Sequence, residues 1–236
     1  MNGYFELEGA ARAAGYMAQI PEQWRKSFGG SYLTGWSSVY SIISRYSVGP
    51  SMFVFDPTDI LNMPHGSQGP AATTEYMNFA YGAGHYLAPD ALQTQEGSAS
   101  ALWNFLSKAV YGFIVPGTRT FAVFGSSGGV HSGIGYKITQ DNGNLCGGYC
   151  AYNADDYYNY YWLFDVQEII DAVKPYDIQP YAYGALPVPF DDNGAHRIIG
   201  GTFDDGNGIL YLSLSGAGQV GVCDRPPLIV AFRIPQ

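Results

Sequence analysis

His131, Tyr136 and Lys137 fall close together in the chain, with Arg119 upstream, and Arg45-Tyr46 forms a second basic and aromatic pair. Basic residues are scarce, 11 against 20 acidic, so each one near a strand asks for a reason. A His/Tyr pair flanked by Arg and Lys supplies a base, an acid and charge neutralisers, the set that proton abstraction beside a uronate needs. His131 lies on a Gly-rich turn five residues before Tyr136, which lets both reach one mouth. Arg45 and Arg119 flank middle or inner strands, from which a guanidinium could grip a ligand carboxylate bidentately. Either arginine suits a buried pair with Asp between packed blades better still.

A second group is the run Asn153-Ala154-Asp155-Asp156-Tyr157-Tyr158-Asn159-Tyr160-Tyr161-Trp162. Tyrosines beside acids and Asn offer flat faces for sugar rings and acceptors for their hydroxyls. Alternate tyrosines entering a strand would look the same. Asp155, Asp156, Tyr157 and Tyr158, with Arg45 and Tyr46, are therefore the ligand-binding candidates, and His131, Tyr136, Arg119 and Lys137 the catalytic ones.

Other chemistry-bearing residues read as structure. Asp56 and Asp165 resemble the paired carboxylates of glycoside cleavage, but each follows an apolar strand, where Asp serves as a turn or cap. Asp204-Asp205-Gly206-Asn207-Gly208 lies between two strands and suits a hairpin turn; it lacks the terminal Glu of an EF-hand. Asp191-Asp192-Asn193-Gly194 reads likewise. Gly125-Ser126-Ser127-Gly128-Gly129 has no following helix, so it is neither a nucleophile elbow nor a phosphate loop. Cys146-Gly147-Gly148-Tyr149-Cys150 can close a small disulfide loop, or stay as free thiols. A zinc site is the sharper alternative, but no His neighbours the pair. His65, His85 and His196 stand isolated. No cofactor and no metal are expected.

The elements that must position these residues recur. Three apolar runs end in Pro: Gly15–Pro21, Gly112–Pro116 and Ala185–Pro189. Each leads to an aromatic-rich outer strand, Met52–Asp56, Tyr161–Asp165 and Leu228–Arg233 respectively. From the closing Pro to the outer Phe the intervals are 34, 48 and 43 residues. A middle strand stands in each unit: Tyr40–Tyr46, Thr120–Phe124 and Ile209–Leu214. A Ser/Gly turn follows each middle strand. Supersecondary units repeating at roughly 40–50 residues announce a β-propeller. The apolar residues on both faces of Ile209–Leu214 fit a sheet sandwiched between neighbours.

The expected fold is accordingly all-β, a single β-propeller domain over residues 1–236 with at least three recognisable blades. Residues 57–111 either form a degenerate blade, with Glu75–Tyr81 as one strand, or further blades lie upstream of Met1. The best helical pattern, Val166–Val173, spans two turns and stops at Lys174-Pro175.

Composition narrows the partners. A net charge of −9 repels a phosphate backbone and anionic membrane surfaces, so neither nucleic acid nor membrane is expected. No apolar run approaches a bilayer span. Met1–Gly9 has no signal-peptide character, whereas the Tyr, Gly and Ser content with little Lys suggests a secreted protein. The two agree if the chain is a processed or truncated product.

The stretches Gly200–Leu214 and Tyr161–Val166 resemble secreted five-bladed β-propeller proteins, including glycoside-hydrolase-like propellers and their uncharacterised bacterial extracellular relatives. The resemblance covers residues 15–56 and 112–234. It implies a propeller fold and an extracellular encounter with polysaccharide or oligosaccharide. That family's catalytic carboxylates belong on inner strands, and the three inner runs here contain no Asp or Glu. A glycan-binding or recognition module is the expected function. A polysaccharide hydrolase or uronate lyase, and a structural or protein-interaction propeller, are the alternatives.

Overall fold

The computed structural model describes residues 6–9, 13, 15–36, 47–61, 63–64, 70–88, 99–192, 194–218 and 224–234. Among the described residues 40% are in β-structure and 11% in helix, and the strands pair in antiparallel sheets, in line with the sparse charge and missing helical periodicity.

The first sheet is β1 (Tyr16–Gln19), β2 (Tyr32–Gly35), β3 (Met52–Phe55) and β4 (Thr74–Met77), paired in that order. A short helix, α1 (Glu22–Phe28), links β1 to β2, starting after Pro21 and ending on left-handed Gly29. Another, α2 (Pro57–Leu61), follows β3.

The second sheet begins with β5 (Lys108–Ile114) and β6 (Thr120–Gly128). The chain then leaves it for a two-stranded hairpin, β7 (Ile134–Tyr136) and β8 (Tyr149–Ala151). It returns as β9 (Tyr157–Asp165), runs through α3 (Val166–Asp171), and adds β10 (Ala182–Ala185) on the far edge. The third sheet is the meander β11 (Ile198–Asp204), β12 (Ile209–Leu214) and β13 (Leu228–Arg233).

Among the described residues none of these sheets closes into a barrel or a propeller ring. The first strands of the three sheets do converge: β1 packs against β5, and β5 against β11. Glycine makes this approach possible. A Cβ on Gly112 would stand 3.0 Å from the Tyr16 ring, and one on Gly201 would stand 2.7 Å from the Tyr111 ring.

Three sequence expectations need correction. Ala185–Pro189 does not open the third sheet; Ala182–Ala185 is the outer edge of the second, with Tyr183 opposite Trp162. Pro187 and Pro189 have no N–H to donate, so pairing stops there, and the third sheet starts at Ile198. The second strand of the first sheet is Tyr32–Gly35; Tyr40–Tyr46 lies outside the described residues. Burial on both faces holds for β6, buried from Phe121 to Gly128, but not for β12, where alternate residues are half-exposed. β12 packs one face only, through Leu210, Leu212 and Leu214.

Trp103, Trp162, Phe121 and Phe164 fill the centre of the second sheet's core, and Phe28 and Leu33 that of the first. The core includes Val166 and Ile169 of α3, which Asp165 caps by accepting from the Gln167 and Glu168 N–H groups.

Candidate functional site

The projecting structure between β6 and β9 carries a small concavity with charged side chains in its lining. β6 ends at Gly128, and Gly129 takes φ 65°, the left-handed conformation that suits glycine. A Cβ there would strike the Ile134 side chain. The Gly129 N–H donates to the backbone carbonyl of Asp156 at 2.8 Å, so the 129–133 turn is laced to the 153–158 loop that feeds β9.

Asp156 is the second lace. Its Oδ2 accepts from the His131 N–H (3.0 Å), the Ser132 N–H (2.7 Å) and the Ser132 hydroxyl (2.7 Å). Ser132 Oγ in turn accepts from the Asn153 N–H at 3.1 Å, and Asn153 Oδ1 accepts from the Asp155 N–H at 2.7 Å. The result is a cup of about 260 Å³ lined by His131, Ser132, Asn153, Asp155, Asp156 and Tyr158. The Tyr158 ring meets the His131 ring edge-on, centroids 6.0 Å apart. Asp155 and Asn153 are exposed at the mouth; Asp156 is only 5% exposed. Its other oxygen, Oδ1, is buried as well.

Burial by itself would raise the Asp156 pKa, but the Ser132 N–H and O–H and the His131 N–H outweigh it. The carboxyl therefore titrates below the ordinary aspartate value. Burial, with the neighbouring Asp156 charge, raises the Tyr158 hydroxyl, which stays protonated at neutral pH. The depressed Asp156 value makes its contribution to stability present above the unfolded aspartate pKa of about 3.9 and lost as pH falls through the folded value. Denaturant unfolding of the wild type and Asp156→Asn between neutral pH and pH ~2 is expected to show two stability curves that converge as acid is added. A gap independent of pH would contradict this.

Of the residues singled out in sequence, the cup unites His131, Asp155, Asp156 and Tyr158. Tyr157 stands behind it: its hydroxyl accepts from the Ala151 N–H at 3.0 Å, and the Arg197 guanidinium lies 4.9 Å over its ring. Tyr136 has gone out along β7, packing 5.1 Å from Tyr149, with Lys137 Nζ 5.3 Å over its ring. Arg119 pairs with Asp165 at 2.7 Å. It adjoins Thr120, at the opposite end of β6 from Gly128, a distance of about 27 Å at ~3.4 Å per residue. The four catalytic candidates therefore share no site. Arg45 and Tyr46 lie outside the described residues, as do His65 and Cys223.

Ser132 and Asn153 complete the cup, and only Asn153 lay in a run that drew notice in the sequence. The remaining candidates behave as structural groups. Asp56 accepts from the Thr58 N–H and hydroxyl at 2.9 and 2.8 Å, and Asp204 closes its hairpin by accepting from Asn207. His85 stacks on Tyr176 with centroids 3.5 Å apart. Cys146 and Cys150 are joined as a disulfide within the β7–β8 hairpin. Among the described residues no cluster of three or more His, Cys, Asp or Glu could hold a metal.

A larger groove of about 350 Å³ opens where β1, β5 and β11 converge, lined by uncharged residues that include Tyr16, Met17, Trp36, Tyr111 and Ile199. Its lining side chains include no group able to transfer a proton at neutral pH, because burial pushes the Tyr16 and Tyr111 hydroxyls well above their ordinary value. No protein-family model matches the chain, and neither a curated protein nor a solved structure matches it.

Proposed function

We propose that this chain is a glycan-binding module that engages a sugar in the cup formed by His131, Ser132, Asn153, Asp155, Asp156 and Tyr158. The observation that carries the reading is the pairing of one aromatic wall, Tyr158, with carboxylate and amide side chains at a single small concavity. A pyranose ring presents an apolar face for such a wall and hydroxyls for such acceptors. In the same reading the three sheets are propeller blades, their first strands β1, β5 and β11 lying innermost, as the convergence of those strands suggests. The Cys146–Cys150 disulfide supports an extracellular setting, where such bonds persist. No observation favours the uronate-lyase alternative, since Arg119 and Tyr136 lie away from His131.

Glycan-array binding followed by titration calorimetry tests the proposal. Tyr158→Ala is expected to weaken the best ligand at least tenfold, about 1.4 kcal/mol, with circular dichroism unchanged. The proposal fails if a broad panel gives no ligand, or if Tyr158→Ala binds as the wild type does.

A further inference from the structure

We infer that the groove between β1, β5 and β11 is a second ligand site, separate from the cup, and that it takes a planar apolar body bearing one carboxylate, with the carboxylate on Lys108 and Arg197. β5 and β11 each stand at the edge of their sheet. They run in the same direction, since Gly201 approaches Tyr111 and Phe203 stacks on Phe113 with centroids 4.6 Å apart. Each carries one β-bulge, at Val110 between Ala109 and Tyr111 and at Ile199 between Ile198 and Gly200. A bulge on an edge strand deters unwanted pairing. These two also stand level with each other, and both extra residues line the same groove. Bulges beside binding sites re-aim side chains in this way.

The groove, at about 350 Å³, falls in the size range of small-molecule pockets. Tyr16, Trp36 and Tyr111 give it aromatic walls, and Gly15, Gly200 and Gly201 give it backbone without side chains. A Cβ on Gly200 would meet nothing within 4 Å, so that stretch of backbone faces open space. Strands keep glycine where a ligand comes close. The tyrosine hydroxyls are turned elsewhere: Tyr16 donates to the Ser51 carbonyl at 2.6 Å, and the Tyr111 hydroxyl meets the Phe203 backbone. The rings therefore offer faces and not hydroxyls, which suits a planar apolar body better than a sugar.

Charge at one end of the groove sets the sign of the ligand. Lys108 lies opposite Ser126, and Ser126 opposite Asn159, so the three share one face of the second sheet. Asn159 accepts from the Ile198 N–H and donates to the His196 carbonyl, which fixes Arg197 above that same rung. The two cations are thus neighbours, each two residues before a bulged position. Burial first, and the Arg197 charge second, hold the Lys108 ammonium below the ordinary lysine value. The Arg197 guanidinium rests 4.9 Å over the Tyr157 ring. Among the described residues neither cation has a carboxylate partner, although the chain holds 20 acidic residues for 11 basic ones. A ligand carboxylate offsets the like-charge repulsion, and a guanidinium can hold it through two parallel N–H donors.

Calorimetry with naphthoate, naphthamide, acetate and glucuronate tests the site. Naphthoate is expected to bind at least tenfold more tightly than naphthamide, which keeps the body and lacks the charge. Acetate and glucuronate, which lack the apolar body, are expected not to bind under the same conditions. Lys108→Met keeps the stem and removes the charge, and is expected to weaken naphthoate about tenfold. Gly200→Leu puts a side chain into the groove where there is room for it, and is expected to abolish naphthoate binding with circular dichroism unchanged. No binding of naphthoate overturns the inference. So does naphthamide or glucuronate binding as tightly as naphthoate, or wild-type affinity in either variant. If Gly200→Leu disturbs the circular dichroism, the Lys108→Met affinity decides.

Discussion

Trp162→Ala is expected to lower the unfolding free energy by about 3–5 kcal/mol. Trp162 is fully buried in β9, an internal strand of the second sheet, opposite Val123 of β6 and Tyr183 of β10. Its ring lies 4.8 Å from Trp103 and 5.1 Å from Tyr160, and its Nε1–H donates to the Leu102 carbonyl at 2.7 Å. Truncation empties the largest side-chain volume in the second sheet and strips Leu102 of its donor. Trp162→Phe keeps much of the ring and isolates the second effect, about 1 kcal/mol for a partly buried carbonyl that loses its donor. Guanidinium unfolding should show both as lower midpoints at unchanged slope. A Trp162→Ala loss below about 1 kcal/mol would mean that the packing described here is wrong.

Asn159→Ala is expected to cost about 1–3 kcal/mol and to loosen the passage from the second sheet to the third. Asn159 is fully buried. Its Oδ1 accepts from the Ile198 N–H at 2.7 Å, its Nδ2 donates to the His196 carbonyl at 3.0 Å, and its backbone carbonyl accepts from Leu186 at 2.7 Å. One side chain thus fastens the first residue of β11 to the opening residues of β9. The Ile198 amide pays most, since it is buried, whereas the His196 carbonyl lies nearer water. Hydrogen exchange reads this directly: Ile198 should lose protection in Asn159→Ala while Val123, deep in β6, keeps it. Unchanged exchange at Ile198 would refute the clamp.

Much of the strand content was legible because Tyr, Phe, Trp, Ile and Val cluster in short runs bounded by Gly and Pro, the composition of pleated, buried surface. Met52–Phe55, Thr120–Phe124, Ile209–Leu214 and Leu228–Arg233 all lie within strands. The Asp165 cap and the turn at Asp204 were legible for the same local reason, since short polar side chains satisfy nearby N–H groups. Which sheet a strand joins is not a local property. Ala185–Pro189 matches Gly112–Pro116 in composition, yet its partner is fixed by β9, whose free edge accepts Ala182–Ala185. The half-exposed face of β12 escaped notice because Ile209 and Tyr211 are apolar whether or not another layer covers them.

The cup was half legible. The tyrosine and acid run pointed to Asp155, Asp156 and Tyr158, and the Gly-rich turn to His131. Their union depends on the 25-residue bridge from His131 to Asp156, which no spacing rule announces. Sequence nearness instead suggested Tyr136 as the partner of His131, but the β7–β8 hairpin carries Tyr136 outward.

Among the described residues each of the three larger sheets is drawn from its own stretch of chain, residues 16–77, 108–185 and 198–233, with the β7–β8 hairpin set inside the second. During translation every sheet can thus complete its own pairing as it emerges, before the next has been synthesised, and ordering proceeds from the amino terminus without rethreading. A gene with that layout can also gain or lose a whole sheet in a single duplication or deletion, since no described strand of one sheet is lent to another.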